Sequence, residues 1–142
     1  EEIMIEFELN TYLRSKSAIT DLVGDQIRPI RRRESDVGTA ITYQRKRGGH
    51  AHALDGGAVY FNAMIEIISW SQSYDDAKNL NEAIRNELQG FSGLFNNTVV
   101  NSCLLIDEQD DYEHPQIGSD SGWFACASDY MIKHYISRAT PT

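Results

Sequence analysis

The stretch AVYFNAMIEIISW, residues 58–70, is the feature that most constrains the fold. Read with the two-residue period of a strand, Val59, Phe61, Ala63, Ile65 and Ile67 lie on one face and Tyr60, Met64, Ile68 and Trp70 on the other. Both faces are therefore largely apolar. Such a strand is either central and covered on both sides, or covered by helices on one side and by a partner subunit on the other.

The rest of the chain supplies what packs around it. Phe7, Tyr12, Leu13, Ile19, Leu22 and Val23 recur at near-helical spacing and predict helix over most of 4–23, with Ser17 capping a second short turn. Gly24 ends it, and Pro29 cannot continue it. Residues 25–38 lack apolar periodicity and predict an exposed connection. A strand is expected at about 39–46, followed by a long mobile hairpin loop, RGGHAHALDGG. Within 75–89, Ala77, Leu80, Ala83, Ile84 and Leu88 form one apolar stripe, Asp75 or Asp76 caps the helix, and Gly90 stops it. Two further strands, about 98–107 and 122–137, flank an acidic loop. The expectation is one α+β domain over residues 1–142 in two layers. It has a four-stranded, mainly antiparallel sheet with two helices packed on one face and long mobile hairpin loops. The second sheet face is left for a partner.

Charge adds a second constraint. The chain has 13 basic and 21 acidic residues, net −8, yet Arg28, Arg31, Arg32, Arg33, Arg45, Lys46 and Arg47 gather in one span against Glu34 and Asp36. Arginines this dense repel one another unless something negative sits opposite, and their forks suit carboxylates as well as phosphates. DEQDDYE, with Asp107, Glu108, Asp110, Asp111 and Glu113, offers such a surface. Both sets are candidate subunit or partner contacts, because head-to-tail pairing of complementary patches builds rings. Net acidity argues against duplex binding over the whole surface. The alternative class is a small nucleic-acid-binding accessory protein using the basic 28–47 segment.

No enzyme, metal site or cofactor is expected. His50, His52, His114 and His134 sit in no hydrolase signature, and HAH lacks zinc-ligand spacing. The acidic run lacks the order of a calcium loop, and RGGHAHALDGG does not open a helix as a phosphate-cradling loop must. Cys103 and Cys126 read as buried thiols of an intracellularly made protein. No apolar run is long enough to span a bilayer, and EEIMIEFELN is not a signal peptide.

The order of ITDLVGDQIRPIRRRE, AITYQRKRGG, ALDGG, VYFNAMIEIISWSQSYDDAKNLNEAIRNELQGFSG and LLIDEQDDYE resembles the small tail-terminator or tail-completion proteins of long-tailed bacteriophages. The resemblance covers about residues 19–113, and GWFACASDYMIKHYI fits the family's last alternating strand. It implies a structural virion protein: a hexameric ring that caps the tail tube, stops its growth and docks the head connector. The tail tube protein and the head completion protein are then partners. Phage DNA passes through the channel without specific binding. The implied location is the head–tail junction of the virion, with the host cytoplasm during assembly. Reversal of Arg31, Arg32 and Arg33 to Glu is expected to block assembly with little loss of fold.

Overall fold

The computed structural model describes residues 4–52, 59–96, 98–115 and 122–136. Its elements, in chain order, are α1 (Ile5–Arg14), α2 (Ser17–Val23), β1 (Ile27–Pro29), β2 (Thr39–His52) and β3 (Val59–Ser71), then α3 (Tyr74–Leu88), β4 (Phe91–Phe95), β5 (Thr98–Glu113) and β6 (Trp123–Ile136). The strands form one six-stranded sheet in the order β1-β2-β3-β6-β5-β4. Only the β1–β2 pair is parallel.

This corrects the expected four-stranded, two-helix architecture. The four long strands β2, β3, β6 and β5 are the ones anticipated, but β1 and β4 extend the sheet at its two edges. Neither has a local signature. β1 is three residues ending in a proline, and β4 carries Gly93 in its middle. Each is a strand because a long neighbour supplies its hydrogen-bond partners. The expected second short turn is α2, but its N-cap is Lys16, extended (φ −100°, ψ 112°) with no side-chain cap, so Ser17 is the first helical residue rather than the cap. The loop expected to begin at 47 begins later, as β2 stays paired with β3 through His52. Likewise β5 runs to Glu113, so the acidic stretch is mostly strand. Residues 53–58 and 116–121, where the tips of the expected loops fall, lie outside the described residues.

The helices all pack on one face. Ile65 and Ile67 of β3 join Ile41 and Tyr43 of β2, Tyr130 and Ile132 of β6, and Val100 and Cys103 of β5 in one core. That core is closed by Leu9 and Leu13 of α1, Ile19 of α2 and Leu80, Ile84 and Leu88 of α3. Leu80, Ile84 and Leu88 belong to the stripe predicted from helical spacing; of its other members, Ala77 is buried and Ala83 half-buried. Each fully buried side chain stabilises the fold by about 2 kcal/mol in transfer terms. Tyr12 packs in tilted contact with Phe91 and Phe95, with ring centroids 5.0 and 4.5 Å away, which fixes α1 over β4. Cys103 and Cys126 are free and buried. Burial pushes the Cys103 thiol up to about 12; burial first, then the Asp110 charge, pushes Cys126 up to about 11.

The other face carries the even-numbered residues of β3: Met64, Glu66, Ile68 and Trp70 are only half-buried. In the same rows are Met131, Asp129, Ala127 and Ala125 of β6. No helix of the described residues covers this face.

Candidate functional site

The basic segment leaves β1 through a tight turn. Arg31 N–H donates to the Pro29 carbonyl at 2.7 Å, and Ile30 between them has φ 70°. A β-branched residue at positive φ in a γ-turn is strained, by about 1–3 kcal/mol. The turn redirects residues 30–38 across the end of the helix-free face, and Gly38 (φ 78°) then feeds β2.

Two arginines hold this segment down. Arg28 donates to the Asp36 carboxylate at 3.0 and 3.4 Å, and the Arg33 backbone N–H donates to it at 3.0 Å. The Asp36 side chain is 1% exposed, so this is an interior anchor. Arg32 reaches further. Its guanidinium carbon lies 4.4 Å from the Trp70 ring centre and 4.0 Å from that of Trp123, and its Nη2 donates to Glu113 Oε1 at 2.8 Å. Trp70 is fixed in turn by its Nε1–H donating to Thr42 Oγ1 at 2.8 Å. Arg32 thus ties the segment beyond β1 to β3, β6 and β5, and residues 30–38 form a strap.

The tryptophans report on that clamp, because the chain has only two. Arg32→Ala is expected to lower stability by about 1–2 kcal/mol and to change native tryptophan emission. An emission spectrum identical to wild type would count against the clamp.

The other charges of the two candidate sets are placed as follows. Arg45 pairs with Glu6 at 3.0 Å, and Lys46 with Asp129 at 3.1 Å and Glu66 at 3.9 Å. Hydrogen bonding to Asp129, and its charge, raise the Lys46 pKa. Asp110 accepts from Lys78 and Tyr74, and Glu108 faces Arg85 at 3.9 Å and Asn81 at 3.2 Å. The Lys78 hydrogen bond holds Asp110 below the ordinary carboxylate value. The basic and acidic sets therefore meet each other inside one chain at Arg32–Glu113, and most other members are spent on local partners. Arg31, Arg33, Arg47, Asp107 and Asp111 form no ion pair among the described residues. All five are exposed.

Sequence reasoning missed the clamp and the strap. The available signal was two tryptophans beside a run of arginines in an acidic chain, but their pairing needs residues from four elements. It also missed a groove of about 450 Å³ at the β1 edge, lined by Glu6, Phe7, Pro29, Ile30, Tyr43, Gln44 and Arg45. Phe7 and Ile30 are each 68% exposed there. Among the described residues no cluster of His, Cys, Asp and Glu could hold a metal ion, and no helix is long and apolar enough to cross a membrane.

The chain is similar to one in the virion of a native gene transfer agent particle, with a TM-score of 0.56 over 88% of each chain. The two share a fold. Their identity is 13%, so the likeness speaks to fold alone. No protein-family model matches the chain, and no curated protein matches it.

Proposed function

We propose that this protein is a structural component of a phage-like virion, and that it caps the tail tube as a hexameric ring that ends tube growth and docks the head connector. The observation that carries the reading is the shared fold with a chain of a gene transfer agent virion, over 88% of both chains. The order of sequence segments that resembles tail terminators supports the finer assignment. So does a long, two-faced sheet with helices on one side only, which suits a subunit that completes its surface by assembly.

The nucleic-acid alternative retains less. Arg28, Arg32, Arg45 and Lys46 are paired with carboxylates of the same chain, which leaves Arg31, Arg33 and Arg47 of that set for phosphates. A three-arginine contact set on a chain of net −8 makes a weak electrostatic footprint.

Tube length tests the proposal. Tail tube protein from the phage or prophage that encodes this chain is polymerised alone and with the purified chain, and lengths are read by negative-stain microscopy. Shorter tubes bearing a terminal ring are expected; an unchanged length distribution would sink the assignment.

A further inference from the structure

Among the described residues, the sheet has two open edges of nearly equal length and opposite charge. β1 pairs only with Ile41, Thr42 and Tyr43 of β2, so among the described residues no strand covers the outer edge of β2 from Gln44 to His52. At the far side β4 pairs with Thr98–Cys103, and Gln89 Oε1 accepts the Leu105 N–H. From Ile106 to Glu113 no strand among the described residues covers the outer edge of β5, and every residue there is exposed. Uncovered edges of eight or nine residues are templates for pairing.

Charge decides which pairing is allowed. On the helix-free face, the β2 edge presents Arg47 and the β5 edge presents Asp107 and Asp111, none of them in an ion pair among the described residues. Two β2 edges repel, and two β5 edges repel. Only β2 against β5 is favoured, which is a heterologous contact. Strand direction agrees, because the alternation through β2, β3, β6 and β5 is antiparallel throughout and the next β2 continues it.

We propose that a second copy of this chain docks with its β2 edge, from Gln44 onward, against residues 106–113 of β5, so that the sheet runs on from subunit to subunit. This rests on the reading of the protein as a ring-forming subunit and names the contact that closes the ring. The two open stretches are offset. Residues paired directly must lie on one face, so the offset is an even number of rows; an offset of four sets Gln44, in the row of Glu66, opposite Asp111, in the row of Trp70, and sets Arg47 diagonal to both Asp107 and Asp111. At about 3.4 Å per row, this shifts neighbouring copies by about 14 Å along the strands, while four strands at about 4.8 Å span about 19 Å across them. Those lengths correspond to a strand tilt of about 35°, at the lower end of the 35–45° typical of closed barrels. The offset is the shear that a ring of such sheets requires.

The test is a charge exchange read by native mass spectrometry and light scattering across concentration. Wild type is expected to form a closed oligomer. Gln44→Glu/Arg47→Glu sets negative charge against Asp107 and Asp111, Asp107→Lys/Asp111→Lys sets positive charge against Arg47, and each variant alone is expected to associate at least about tenfold more weakly. An equal mixture restores every contact, so it is expected to reassemble with the two variants alternating. Three results overturn the proposal: variants that assemble as wild type does, a mixture that stays dissociated, or a wild type that remains monomeric at every concentration. Tube capping by wild type is measured separately, so these results leave the capping assignment to stand or fall on tube length.

Discussion

Replacing Asp36 with alanine is expected to destabilise the protein by about 3 kcal/mol and to free residues 30–38 from the sheet. The Asp36 carboxylate accepts hydrogen bonds from the Arg28 guanidinium and from the Arg33 backbone N–H, and its side chain is almost wholly buried. Removing it leaves the largely buried Arg28 side chain without its counter-charge. Loss of one partner of a buried pair costs about 3–5 kcal/mol, and the lower end applies because the strained turn at Ile30 relaxes when the strap lifts. Acid should act on wild type in the same way. Burial pushes the Asp36 carboxyl up, but the hydrogen bonds from Arg28 and Arg33 and the charges of both outweigh it, so the folded-state pKa lies below the ordinary value of 3.8. A depressed carboxyl contributes stability that is full above its unfolded pKa, about 3.9, and that is lost as pH falls through the lower folded value. Urea unfolding followed from pH 7 down to about pH 2 should show wild type losing more stability below pH 4 than Asp36→Ala does. Parallel curves, or equal stability at pH 7, would refute the anchor.

A second large effect is expected at the centre of the sheet. Ile65 is fully buried beneath the helices and lies in register with Tyr130. Ile65→Ala is expected to cost about 3–4 kcal/mol, combining lost transfer energy with the cavity left under α3. Its neighbour Met64 points to the helix-free face and is half-buried. Met64→Ala should cost about 1 kcal/mol in the isolated chain, since solvent already reaches that site. Denaturant midpoints of the two variants measure the asymmetry of the sheet directly. Equal losses would mean that the second face is covered in the isolated chain as completely as the first.

What was legible in the chain follows from the range over which each signal acts. The stripe Leu80, Ile84 and Leu88 and the alternation through Phe61, Ala63, Ile65 and Ile67 are periodic within one element, and both define core faces as expected. Gly24 ends α2 with a positive φ of 61°, as its place after LV suggested. β1 and β4 were not legible, because neither has enough residues to show a period. Their existence depends on Ile41–Tyr43 and on Thr98–Cys103 offering backbone groups from elsewhere in the chain.

The candidate contact residues divide along the same line. Composition showed that basic and acidic residues were segregated, and it was correct to ask what opposes the arginines. It could not show that Arg32 lies between Trp70 and Trp123 while Arg31 and Arg33 on either side stay exposed. The three adjacent arginines are therefore not equivalent. Joint reversal to Glu would break the clamp as well as alter the surface, so a test of assembly should leave Arg32 intact.

By itself, then, the sequence determined the faces of its long strands and of α3, and the presence of a strand largely apolar on both faces. Those properties are set by side-chain spacing over a few residues. Tertiary structure decided which face of β3 the helices cover, which charges are neutralised within the chain, and where β1 and β4 stop short to leave β2 and β5 open. These depend on pairing between segments up to about 80 residues apart, as Arg32 and Glu113 are. Local periodicity fixes what a segment can present, but only the completed strand order fixes what remains unpaired.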